Sequence, residues 1–138
     1  MRKKIAVLGT AVGLLVAIVP VEAHHAFAAE FDAKRPVKLK GKVTRFEMIN
    51  PHSWIHIDVV GEDGKTTEWM VEGGSPNALF RRGININTVP VGTVLLVEGY
   101  QAKDGANRAV GSDLTFTDGK RLFMGSSSPD APDATRTK

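Results

Sequence analysis

From Val37 to Met124 the chain is a succession of short runs in which apolar and polar residues alternate with a period of two, each run closed by a turn signal. Alternate side chains of a strand point to opposite faces, so this pattern specifies half-buried strands and leaves little room for long helices. The first run, Val37 to Ile49, has Val37, Leu39 and Val43 on one side and Gly41 at a position that suggests a bulge or sharp bend. Asn50-Pro51 ends it. Trp54 to Val60 places Ile55, Ile57 and Val59 on one face and Trp54, His56 and Asp58 on the other, and Gly61 to Lys65 turns the chain into a third strand, Thr66 to Glu72. Ser75 to Gly83 then carries an N-cap serine, a proline in the first turn, two arginines near the end and a closing glycine, which together specify a short helix. Asn87 to Gly92 is a turn, Thr93 to Ala102 a fourth strand, and Ala109 to Thr117 with Arg121 to Met124 a final hairpin across Asp118-Gly119.

The expected fold is therefore all-β with one short helix. Three strands, a helix and two or three further strands follow the order of a small β-barrel of the oligonucleotide/oligosaccharide-binding (OB-like) type, and an antiparallel β-sandwich is the alternative. Residues 24–124 form one domain, and the tail from Gly125, rich in Ser, Asp, Pro and Ala, is expected to be disordered.

Ahead of that domain stand Arg2-Lys3-Lys4, the apolar run Ile5 to Val19, then Pro20 and Val21-Glu22-Ala23. A basic stretch, an apolar stretch and small residues at the cut make a secretory signal peptide, residues 1–23. The apolar run of about 15 residues is short of the roughly 20 a spanning helix needs, so no stable membrane span is expected after cleavage. A second candidate cut follows Ala28. The expected compartment is the periplasm.

Loss of the signal removes three basic residues and Glu22, so the net charge of +3 falls to about +1. That argues against a nucleic-acid partner, which would need a basic stripe on the mature surface. The chain has no cysteine. An exported domain of this size without disulfides must be held by its core or by something it binds.

All four histidines fall early in the mature chain: His24, His25, His52 and His56. A cut after Ala23 gives His24 a free α-amine beside its imidazole, and that amine loses its proton near neutrality at modest cost when a metal binds. Paired nitrogen donors suit copper(II). His25 offers a competing chelate through amine, backbone amide and imidazole. The bland alternative for both is a solvated terminus. His52 follows Asn50-Pro51 at a strand entrance, where a proline-fixed turn can aim a side chain, and it is the third candidate ligand. His56 ranks below it, because four residues along a regular strand separate the two by about 13 Å. Taken alone, His52 reads as bonding a turn carbonyl and His56 as lying on a half-exposed face beside Trp54.

The acids Glu30, Asp32, Glu68 and Glu72 do not resolve into a catalytic pair and read as solvated surface. Trp54 and Trp69 sit on neighbouring strands, where they make either a cross-strand contact or a stacking platform for a ring-bearing ligand.

The segments His24 to Asp32, Asn50-Pro51-His52-Ser53-Trp54-Ile55 and Gly74 to Gly83 together resemble a family of bacterial exported proteins of unknown function. Its members begin with a His-His-Ser-Phe type of segment, continue with Asn-Pro-His and later carry Gly-Ser-Pro-Asn. Ala26 stands where that pattern often has serine. The resemblance implies an exported small β-barrel and no particular activity. The expected function is thus a periplasmic binding module for a metal ion, copper favoured, held by His24, His25 and His52. The alternatives are a metal-free barrel binding a small ligand or a periplasmic protein through Trp54 and Trp69 or the Arg81-Arg82 loop, and a copper-dependent redox enzyme.

Overall fold

The computed structural model describes residues 27–125. The expected signal peptide, His24 and His25, and the tail from residue 126 lie outside the described residues. A helical turn at residues 27–30 leads into β1 (Phe31–Glu47), followed by β2 (Trp54–Val60), β3 (Thr66–Glu72), α1 (Pro76–Arg81), β4 (Val94–Ala102), β5 (Arg108–Phe116) and β6 (Arg121–Phe123). The strands form one six-stranded sheet in the order β3-β2-β1-β4-β5-β6, with antiparallel neighbours throughout. In addition β3 pairs with β5 in parallel, through Met70 with Arg108, Val71 with Ala109 and Glu72 with Val110.

β1 is longer than its alternation suggests. It begins at Phe31 rather than Val37, because Phe31 pairs with Ala102 and Pro36 with Tyr100 across an irregular stretch of charged residues that hides the strand. Its first part runs along β4 and its second along β2, so Gly41 and Lys42 are paired on both sides. The bulge expected at Gly41 lies instead between Val43 and Arg45. Gly41 is needed for another reason: a Cβ there would sit 2.8 Å from the Asp58 carbonyl oxygen, inside contact distance.

α1 forms where its signals place it. Ser75 Oγ accepts from Ala78 N at 3.4 Å, Pro76 opens the helix, and Gly83 follows it at φ 81°, the left-handed conformation that ends helices. Leu79 is the one side chain α1 buries. It joins Val43, Ile55, Ile57, Val71, Ile84, Val89, Leu95, Val97, Leu114 and Met124 in the main core. Gly125, expected in the tail, is buried, and its carbonyl accepts from Arg82 Nη1 at 2.6 Å.

The helical turn at 27–30, unannounced by the sequence, builds a second small core. Phe27 and Phe31 pack with Ala102, Val110 and Tyr100, and the Phe27 ring meets Tyr100 edge-on at 5.7 Å. Among the described residues no helix is long and apolar enough to cross a membrane.

Candidate functional site

The hairpin turn at Gly61–Lys65 sets the β2–β3 register so that Trp54 lies opposite Glu72. The segment before β2 is fastened to the segment after β3 by Ser53 N donating to Gly74 O at 3.0 Å and Gly73 N donating to Ser53 O at 2.8 Å. His52, one residue earlier and just after the cis Asn50–Pro51 peptide, is thereby held over the end of β3. Its Nδ1 lies 2.5 Å from Glu72 Oε1. An ionised carboxylate has only acceptors, so Nδ1 is the donor in this pair, and in the neutral imidazole Nε2 is the nitrogen that holds the lone pair. The His52 side chain is 35% exposed and that of Glu72 only 6%. Thus a buried carboxylate orients a half-exposed imidazole with its second nitrogen unengaged among the described residues.

Burial pushes the Glu72 carboxyl above its ordinary value, His52 counteracts this, Glu30 adds to it and Arg108 opposes it. Arg108 itself spans the neighbourhood. Its guanidinium lies 4.0 Å from Glu30, 3.8 Å from Asp104 and 5.9 Å from the centre of the Phe31 ring, while its Nε is buried without a partner. The helical turn bearing Glu30 is anchored by Phe27 against Val110, and Val110 is the β5 neighbour of Glu72. Lys103 secures the same turn, its ammonium bonding the Ala28 carbonyl and its amide donating to Glu30 O at 2.9 Å. His52, Glu72, Arg108 and the start of the described chain therefore converge on one part of the surface.

His56 is placed differently from the expectation of a half-exposed strand residue. It is 1% exposed. Glu47 Oε2 lies 2.7 Å from its Nε2, Glu68 Oε1 3.3 Å from its Nδ1, and Arg45 Nη2 3.1 Å from Nε2. Charged side chains from β1 and β3 close over the ring, which is why alternation alone misjudges its burial. The two carboxylates sit at opposite ring nitrogens, so they brace the imidazole and do not converge on a common point. The structure gives His52 and His56 separate carboxylate partners and no shared site.

Trp54 and Trp69 do not form a platform. Trp69 pairs with Ile57 and packs against the main core, whereas Trp54 pairs with Glu72 and Glu47 on the opposite face. Three positions separate Trp69 from Glu72, and an odd offset reverses the face. Arg82, from the loop offered as a partner contact, is engaged with Gly125 O and lies 4.8 Å over the Phe123 ring.

Glu72 is the functional candidate that the sequence reading passed over as surface. Its signal was the register of the hairpin, which puts it opposite Trp54 and within reach of His52.

A family of unknown function (DUF6152) matches residues 12–111, most of the chain, from within the N-terminal apolar run to Gly111 in β5. The chain belongs to that family. The matched DUF6152 region takes in His24, His25, His52 and Glu72 and stops before β6. No curated protein and no solved structure matches the chain.

Among the described residues no group of three or more His, Asp or Glu side chains is arranged to hold a metal ion. The His52–Glu72 pair offers one free imidazole nitrogen, and a complete metal site would need further donors from outside residues 27–125.

Proposed function

We propose that this protein is an exported, periplasmic binding module that holds a metal ion, copper favoured, between the mature N-terminus and His52. The observation that carries the reading is the His52–Glu72 pair. A metal-binding histidine typically gives its other ring N–H to a carboxylate, which fixes the tautomer and raises the basicity of the coordinating nitrogen. His52 has that arrangement on one side, with Nδ1 on a buried carboxylate and the ring itself partly exposed.

The missing donors are His24 and His25. Phe27 is seated against Val110, the β5 neighbour of Glu72, and three residues span at most about 10 Å, so His24 and His25 would approach His52 from that anchor. A terminal amine with its own imidazole and a second imidazole forms a nitrogen-rich set of the kind copper(II) prefers. His24 would chelate, His25 would supply the competing or supplementary nitrogen, and His52 would complete the site. Bound copper would add redox chemistry, while the protein's own residues supply geometry and a fixed tautomer. The β3–β5 pairing favours the barrel over the sandwich, since it joins the two ends of the β3-β2-β1-β4-β5 series into a ring, as in an OB-like barrel.

N-terminal sequencing of the exported protein together with copper(II) titration tests this. The expected result is a start at His24 and tight binding that a His24→Ala, His25→Ala variant loses. A start at Ala29, or equal affinity in that variant, would end the proposal.

A further inference from the structure

The outer face of β1 carries Lys38, Lys40 and Lys42 at alternate positions. Lys38 is tied to Glu98 at 3.0 Å. Lys40 and Lys42 make no ion pair or side-chain hydrogen bond among the described residues. On the β4 side the register sets both lysines against apolar residues, Lys40 with Leu96 and Lys42 with Val94, while on the β2 side Lys42 is paired with Asp58. Val60, at the end of β2, is 65% exposed and Val94 is 37% exposed.

Two shallow, open depressions of about 430 and 320 Å³ lie here and meet at Lys40 and Val94. Val60 lines the smaller and Leu96 the larger, beside Thr115 and Phe116. Asp58, opposite Lys42, is the one acid lining either depression.

This chemistry does not fit a small bound anion. Lys40 and Lys42 are two residues apart on a strand, about 6.6 Å, and stand side by side on an open sheet rather than around a pocket. The strand is paired on both sides at Gly41 and Lys42, so the backbone there is taken up by the sheet. It fits an extended anionic surface with an apolar interior, where lysine heads reach headgroups while valine and leucine side chains enter the boundary beneath them.

We propose that the outer face formed by Val60, Lys40, Lys42, Val94 and Leu96 docks on an anionic phospholipid bilayer. The contact is electrostatic and apolar together, and it leaves the His52 neighbourhood free. It does not depend on metal binding.

Co-sedimentation of the purified chain with vesicles of phosphatidylglycerol in phosphatidylcholine, and of phosphatidylcholine alone, tests it. Wild type and variants are prepared identically, so any contribution of other segments cancels in the comparison. Binding to the anionic vesicles is expected to fall at least about fivefold for each lysine reversed in a Lys40→Glu, Lys42→Glu variant, since each substitution removes one positive charge and adds a negative one. A Val60→Ser, Val94→Ser variant, which keeps every charge, is also expected to bind more weakly. Inorganic phosphate at matched ionic strength should displace nothing beyond the chloride control. The proposal is overturned if the lysine variant, folded by its thermal melt, binds anionic vesicles as wild type does. It is equally overturned by the same binding to neutral vesicles, by displacement specific to phosphate, or by no wild-type binding at low salt.

Discussion

Two histidines on neighbouring segments have been given opposite tasks by their carboxylates. His56 is enclosed by Glu47, Glu68 and Arg45, so both ring nitrogens are engaged and the ring ties β1, β2 and β3 together. His56→Ala is expected to cost about 2 kcal/mol, combining a small cavity with lost hydrogen bonds whose partners remain partly solvated. His52→Ala truncates a less buried ring but leaves the buried Glu72 carboxylate without its partner, so at neutral pH it should cost at least as much. Urea denaturation of the two variants checks the order. Glu72 supplies a pH test. Its folded-state carboxyl is raised above the ordinary 4.5 chiefly by burial, so the proton is held more tightly folded than unfolded. The stabilising contribution of its neutral form is full below pH 4.5 and is lost as pH rises through the raised value. Glu72→Gln stays neutral throughout, and its stability relative to wild type is expected to improve as pH climbs from 4.5 toward neutrality. Denaturant midpoints across that range read it out.

The strands and the helix were largely legible in the sequence, for reasons that differ by element. β2 and β3 have clean alternation and a glycine-bounded turn, so their ranges follow directly. α1 is announced by Ser75, Pro76 and Gly83 acting at the positions their chemistry favours. Ser75→Ala should destabilise by about 0.5–1 kcal/mol, at the low end for caps because the Ser75 bond is long at 3.4 Å. β1 was legible only in part. Its first residues are charged or proline and owe their strand conformation to pairing with β4, which no local pattern encodes. Gly41 shows the same limit, since its role is to admit the Asp58 carbonyl of a strand distant in sequence. Gly41→Ala is expected to cost about 1–3 kcal/mol through overpacking at a doubly paired position, measured as a drop in the thermal midpoint. The candidate site was legible to a similar degree: His52 stood out by its neighbours Asn50 and Pro51, whereas Glu72 looked like one of several surface acids until the hairpin register placed it.

At the scale of the molecule, the small core of Phe27, Phe31, Tyr100, Ala102 and Val110 fastens the start of the described chain beside Glu72. It gives the segment ahead of Phe27 a fixed point of departure from the sheet. Phe27→Ala is expected to raise amide exchange at residues 28–31 while leaving the main core protected, because the two clusters are separate. The same variant should weaken metal binding without touching a ligand. Family membership covers this whole arrangement, from the N-terminal run into β5.

The central claim is that His52, oriented by Glu72, completes a copper site begun at the N-terminus. Its most direct test is isothermal titration of the exported, processed protein with copper(II), comparing wild type with His52→Ala. Participation of His52 predicts an affinity loss greater than about tenfold at unchanged stoichiometry. Equal affinity in the two proteins would contradict it and leave any copper bound by the terminus alone.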